Sequence, residues 1–343
     1  MHSLGVISTA AGTGKTTAID ALVGEAATRG RRLAISSVGP NSQASEGVEI
    51  REGTLAVTAS ACVEAAASHG DVVESLGIPS PQGELLLWCA SAPCAIPLLG
   101  PARCGEFTRV LRALNGHVDM ALIEGSVERL LPMMLCDTLM IVTGAARQPE
   151  PENLAAETYA LVELLSLPGD PDPRTECFPE GISLRTLHGE LTVAADVPLS
   201  VEGAEAVHAS LAEDVTQILL PGPLGLESLA TLVALILQTP HRPRLTVEGG
   251  TVLLLAGRPE TTLVSVTDYL RAGGQFTAAH STGVGVVTVN PHFMERVGSR
   301  SEPCVVDPRH LRRAVANSVP RPVIDVVRDG SETLWEAVEA ALV

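Results

Sequence analysis

The run Thr9-Ala10-Ala11-Gly12-Thr13-Gly14-Lys15-Thr16-Thr17 holds the only lysine in a chain of 343 residues that carries 22 arginines. Arginine fills the basic role everywhere else, so the single lysine points to a task that a planar guanidinium performs poorly. A compact ammonium on a flexible stem, set after two close glycines, suits a phosphate-binding turn. There, backbone N–H groups wrap the anion and the ammonium reaches its outer phosphates as a point charge. Gly12 and Gly14 let the backbone turn its N–H groups inward without a Cβ clash. Thr16 supplies a hydroxyl for Mg²⁺, and Thr17 one for the α-phosphate. Ala11, Gly12, Thr13, Gly14, Lys15, Thr16 and Thr17 are therefore the candidate nucleotide contacts, with Lys15 also a catalytic candidate. The full pattern for such a turn is G-x-x-x-x-G-K-S/T, and Thr9 stands at its first glycine position. A glycine-rich turn that merely starts a helix is the plainer alternative.

Such a site needs a carboxylate for the metal ion or its water, brought by a second strand. Asp119-Met120-Ala121-Leu122-Ile123-Glu124-Gly125 is the best candidate, an apolar strand ending in an acid and then a glycine. Glu124 at the strand's carboxyl end would face the turn across the crevice where doubly wound sheets bind ligands. That makes it a catalytic candidate and, with Thr16, a metal candidate. Asp119, ahead of the strand, reads as a solvated loop acid, and Glu124 keeps the alternative of a surface acid closing a core strand. Asn290, before Pro291, either lines a substrate or partner site or simply terminates a strand. Asp325 stays open between a second-site acid and a strand-edge residue. Arg129 either reaches the γ-phosphate from within the chain or is a solvated helix-start arginine. Guanine-specific sites usually carry the pattern N/T-K-x-D, which a chain whose one lysine is Lys15 cannot contain. ATP, with Mg²⁺, is the expected cofactor.

Positioning these groups demands strands and helices in alternation. Residues 3–8 are apolar enough for a buried first strand. From Thr16, Ile19, Leu22, Val23 and Ala26 recur at helical spacing, and Gly30 stops the helix. Strands are expected at 33–38, 85–88, 121–124 and 138–143, with a helix over 107–114. Val48–Ile50 and residues 55–57 suggest a hairpin turning at Glu52-Gly53, and Thr58 caps a helix to about His69. Residues 152–165 read as a further helix, and the turn-rich stretch 168–173 as a linker. Beyond it, 218–220, 252–255, 284–289 and 322–327 read as strands, and 226–237, 309–316 and 332–342 as helices. The expected division is a nucleotide-binding domain over 1–167 and a C-terminal α/β domain, suited to a partner protein, over 174–343.

Composition narrows the function classes. The net charge is −17, and no basic cluster interrupts it, so the cationic face that nucleic acid requires is missing. The longest strongly apolar run, 229–237, falls far short of the ~20 residues of a membrane span. Neither a membrane nor a nucleic-acid partner is expected, the phosphate turn begins too early for a secretory leader, and a cytoplasmic chain is anticipated. The seven cysteines contain no C-x-x-C pair and read as reduced, buried thiols. Oligomeric state stays open, a homo-oligomer included.

The segment Gly12-Thr13-Gly14-Lys15-Thr16-Thr17 resembles the turn of the P-loop NTPase class that includes dethiobiotin synthetase, nitrogenase iron protein and signal-recognition GTPases. Members with a signature lysine begin the turn K-G-G. Ala10 and Ala11 stand here, so the lysine that reaches across a dimer is absent. Ser37-Val38-Gly39, Leu99-Gly100-Pro101, Ile123-Glu124-Gly125-Ser126-Val127-Glu128-Arg129 and Ile141-Val142-Thr143-Gly144-Ala145 are similar to the ATPase subunit of lysine 5,6-aminomutase reactivases. So are Val287-Thr288-Val289-Asn290-Pro291 and Pro322-Val323-Ile324-Asp325-Val326. The resemblance implies a three-layer α/β P-loop fold with a mostly parallel sheet, followed by a second α/β domain. It further implies an ATPase that rescues an adenosylcobalamin-dependent aminomutase together with a second ATPase subunit. Asn41, Ser42 and Gln43 stand where that family carries an acidic D-G-E-like stretch. An amide there can hold a metal-bound water but cannot take its proton; the plainer alternative is that Asn41 and Gln43 are ordinary loop residues. Two other functions compete: an ATP-dependent ligase of dethiobiotin synthetase type, and a nucleotide-binding scaffold without turnover. A ligase would want a cationic pocket near the phosphates, and no second lysine exists to build one.

Overall fold

The computed structural model describes residues 1–39, 48–65, 69–126, 130–172, 178–225, 227–255, 257–297 and 300–342. They form two compact units, Met1–Ala155 together with Val284–Val343, and Ala156–Gly283. The first unit opens with β1 (His2–Ser8), α1 (Lys15–Thr28), β2 (Leu33–Ser37), β3 (Val48–Ile50), β4 (Leu55–Ala59) and α2 (Ser60–Ala65). It continues through β5 (Gly70–Ser80), β6 (Gly83–Ala90), β7 (Cys94–Ile96), α3 (Cys104–Leu114), β8 (Met120–Ser126) and β9 (Thr138–Gly144). Helix α4 (Pro151–Leu165) carries the chain into the second unit.

The second unit is a smaller α/β body. Its elements are β10 (Ile182–Thr186), β11 (Leu191–Ala195), α5 (Val201–Ala209), β12 (Val215–Leu220), α6 (Ser228–Leu237), β13 (Arg244–Gly249), α7 (Gly250–Leu254), α8 (Pro259–Arg271) and β14 (Phe276–His280). The sheet runs β11-β10-β12-β13-β14, with β12, β13 and β14 parallel. Asp170 crosses it as a fully buried carboxylate that accepts hydrogen bonds from Gln217, Thr246 and Thr277 at 2.7–2.8 Å. A buried charge survives only where such donors replace water. Residues 252–255, expected as a strand, belong to α7 apart from Leu255, which caps its C-terminus. A short apolar run of that kind does not distinguish a buried strand from a buried helix turn.

The chain then returns to the first unit with β15 (Val284–Asn290), β16 (His292–Val297), β17 (Arg300–Val305), α9 (Pro308–Ser318), β18 (Val323–Ile324), α10 (Val326–Asp329) and α11 (Ser331–Ala341). Strand β15 pairs in parallel with β9, and β18 with β15. The expected boundary of 1–167 against 174–343 therefore differs from the observed division. The stretch from Val284 onward completes the first sheet instead of the second.

That nine-stranded sheet runs β18-β15-β9-β1-β8-β2-β4-β6-β5, parallel from β18 to β4 and antiparallel at β6 and β5. On one face Leu4, Val6, Ile35, Leu122, Met140 and Val286 join Ile19 and Leu22 of α1 and Leu334, Trp335 and Val338 of α11 in a single core. The alternate residues Ala34, Ala121, Ile123, Ile141 and Val287 are buried as well. A sheet buried on both faces explains why its strands read as continuous apolar runs. Val48–Ile50 pairs with Cys94–Ile96 and not with residues 55–57, so the expected hairpin at Glu52-Gly53 does not form. Leu55–Ala59 is drawn into the main sheet beside β2 instead. Among the described residues no helix is long and apolar enough to cross a membrane.

Candidate functional site

The sheet changes direction at β1. From β1 the chain winds outward through β2 and β4 to the edge strand β5, turns back through β6, inserts β8 beside β1, then crosses to β9 on its other side. The crevice at the carboxyl ends of β1, β8 and β9 is the place where open α/β sheets hold ligands. The turn from Thr9 to Gly14 occupies it.

Both ends of this turn are fixed by identifiable groups. At its start the Thr9 N–H donates to the Val142 carbonyl at 3.0 Å and the Thr9 hydroxyl to Thr143 Oγ1 at 2.9 Å. The threonine at the first glycine position is thus accommodated by pairing with β9. Gly12 and Gly14 adopt φ of 80° and 96°, left-handed values that a Cβ would oppose. Thr13 closes the bend by donating its hydroxyl to the Ala10 carbonyl at 2.9 Å. Helix α1 starts at Lys15 with Gly14 as its N-cap, with no side-chain cap and no acid in its first turn. The leading N–H groups and the positive dipole end of such a helix start favour an anion.

Glu124 meets this helix start by strand geometry. Leu122 lies in the core against α1, and side chains two apart on a strand share a face. Glu124 thus sits on the α1 side, two residues before the end of β8, only 4% exposed, with its Oε1 3.2 Å from Lys15 Nζ. The ammonium gives a buried carboxylate a cationic partner, as burial demands. Thr16 and Thr17 are exposed on the first turn of α1, beside Lys15. Asp119 lies away from this pair, with Arg32 3.0 Å from it, and that guanidinium holds its carboxyl below the usual carboxylate range. It is the solvated loop acid the sequence suggests.

Two further segments close around the site. Gly39 donates its N–H to the Pro101 carbonyl at 3.3 Å, and Gly100 its own to the Gly39 carbonyl at 3.2 Å. A Cβ at Gly100 would lie 1.5 Å from the Ser37 carbonyl oxygen, so only glycine fits. Ser37-Val38-Gly39 and Leu99-Gly100-Pro101, distant in sequence, are one contact in space. Across the turn, Asn290 at the end of β15 donates from Nδ2 to the Gly12 carbonyl at 2.9 Å. The sequence left Asn290 open between lining a site and ending a strand and gave no sign of this contact, which follows from the pairing of Gly144 with Asn290 across β9 and β15. A second cleft of about 360 Å³ lies elsewhere on the unit, lined by His2, Asp119, Met120 and Trp335. Beside α1, a cleft of about 660 Å³ is lined by Asp20, Glu49, Arg51, Glu52 and Cys94. Burial there raises the Asp20 carboxyl, Glu49 raises it further, and Arg51 opposes both.

Asp325 does not join the turn. It caps α10, accepting from the Arg328 N–H at 3.3 Å. Asn41, Ser42, Gln43 and Arg129, with Val127 and Glu128, lie outside the described residues, as does Cys177. No protein-family model matches the sequence, and no curated protein matches it significantly.

Proposed function

We propose that the chain binds Mg-ATP at the turn from Thr9 to Thr17 and acts as an ATPase upon a partner protein. The observation that carries this reading is the Lys15–Glu124 pair, 3.2 Å apart at the uncapped start of α1 and beside two left-handed glycines. Backbone N–H groups of Gly12 to Thr17 cradle the phosphates, with Ala11 at the rim. Lys15 exchanges its carboxylate partner for the outer phosphates. Thr16 and Glu124 offer hard oxygen donors of the kind Mg²⁺ prefers, the first directly and the second directly or through water. The ion supplies charge neutralisation for cleavage of the terminal anhydride by water, giving ADP and phosphate.

The client follows from the resemblance to reactivase ATPase subunits: an adenosylcobalamin-dependent aminomutase, approached with a second ATPase subunit. A separate α/β unit, Ala156–Gly283, supplies a surface for such a partner in addition to the nucleotide-bearing one. The P-loop assignment, three-layer in form, belongs to this same reading, supported by the order of strands about β1 and the turn that follows it.

The test is equilibrium binding of Mg-ATP and Mg-GTP to the purified chain, with Lys15→Ala as control. Expected is a preference for ATP and a loss of roughly tenfold to hundredfold in the variant, the worth of a charge-assisted contact. No binding of either nucleotide would overturn the reading. ATP turnover that rises with a small carboxylic acid and not with the aminomutase would replace the partner-directed ATPase by a ligase.

A further inference from the structure

Asn290 makes three directed contacts at the carboxyl end of β15. Its Nδ2 donates to the Gly12 carbonyl at 2.9 Å, its Oδ1 accepts from the His292 N–H at 3.1 Å, and its own carbonyl accepts from the Ala145 N–H at 2.8 Å. The two amide contacts fix the orientation of the side chain, since a flipped amide would set oxygen against oxygen and N–H against N–H. Its backbone can approach β9 because Gly144, its register partner, has no side chain. A Cβ there would lie 2.2 Å from the Asn290 carbonyl oxygen. On the turn itself, a Cβ at Gly14 would meet the Asn290 Cβ at 3.4 Å. Asn290 thus lies flush against the stretch of the turn in which glycine leaves the backbone least constrained.

In a trans peptide the carbonyl and the following N–H point in opposite directions. Anchoring the Gly12 carbonyl on Asn290 directs the Thr13 N–H the other way. We propose that Asn290 is a positioning residue for the phosphate cradle: it presets the Gly12–Thr13 peptide so that the Thr13 N–H is presented to bound phosphate. This role rests on the nucleotide reading above. It assigns Asn290 to the phosphate end of the ligand, through the backbone, and leaves the nucleoside end to other groups.

The test uses the full chain and two probes, Mg-ATP and magnesium tripolyphosphate, measured by calorimetry with melting temperature recorded alongside. Asn290→Ala weakens both probes by the same factor, about fivefold to tenfold, as expected for one hydrogen bond. Asn290→Asp provides a signature that mere structural damage would not. As a carboxylate near pH ~8 it opposes the Gly12 carbonyl, whereas the neutral acid donates an O–H in place of the amide. Its affinity for both probes, relative to wild type at each pH, recovers as the pH falls to ~4, where an ordinary aspartate is about half protonated. Loss confined to ATP, with tripolyphosphate unaffected, would place Asn290 at the nucleoside and overturn the proposal. Wild-type affinity in Asn290→Ala, or no recovery of Asn290→Asp at low pH, would overturn it equally. A wild-type chain that binds neither probe removes the nucleotide reading itself, and this proposal with it.

Discussion

At the scale of single residues, Glu124 carries a charge in a place where charge is costly. Its carboxylate is buried and stands 3.2 Å from Lys15. On the proposed reading the ammonium leaves for phosphate when nucleotide arrives, and the incoming metal ion replaces it as the partner. Glu124→Gln is therefore expected to keep ATP binding within about threefold while lowering turnover by about 100-fold or more, the range for a proton-handling or metal-orienting group. Comparing ATP affinity with steady-state phosphate release checks both halves; a variant that hydrolyses at the wild-type rate would remove Glu124 from the chemistry. The residues of this pair are legible in the sequence because each has a local signal. One is a lysine after two glycines, the other an acid ending an apolar strand before glycine. Asn290 has no such signal, because its partner Gly12 is far away along the chain and only strand pairing joins them.

At the scale of elements, α1 and α11 form the layer over one face of the nine-stranded sheet. Trp335 is the largest side chain of α11 in that core, fully buried, with Arg29 6.0 Å from its ring centre. Its indole N–H makes no hydrogen bond among the described residues. The contribution of this residue is thus volume and not polarity. Trp335→Ala is expected to cost about 3–5 kcal/mol in denaturant unfolding, and Trp335→Phe less than half as much, since only part of the volume is lost. A Phe variant as unstable as the Ala variant would show that the N–H matters. Helices α1 and α11 can be read from the apolar residues recurring at helical spacing, and the buried strands from short continuous apolar runs bounded by turn residues. The strands β5, β16 and β17 cannot: their side chains are mostly exposed and follow no clean alternation, so pairing alone defines them. The run 252–255 fails for the opposite reason, being apolar throughout and therefore silent about period.

At the scale of the whole molecule, the sheet that bears the site is assembled from two stretches of chain separated by the second unit. A fragment of residues 1–167 would leave the edge of β9 unpaired and the α1 face uncovered, since β15 and α11 are missing. It is expected not to fold cooperatively, which circular dichroism melting checks directly. A chain joining residue 166 to residue 282 through a short glycine linker is expected to fold and to bind ATP. The two connections lie side by side, with the Ser281 hydroxyl donating to the Leu167 carbonyl at 2.8 Å. Cooperative folding of the 1–167 fragment would contradict this account. The sequence could not announce such a return, because the turn-rich stretch after Leu167 looks like any boundary between consecutive domains. The arrangement also has a consequence for synthesis on the ribosome. At ~5–20 residues per second, the intervening unit takes on the order of ten seconds to emerge. Throughout that interval β9 presents a bare strand edge, a template for unwanted pairing. The crevice around the Thr9–Gly14 turn is therefore among the last parts of the nascent chain to mature, and a product released early would lack it.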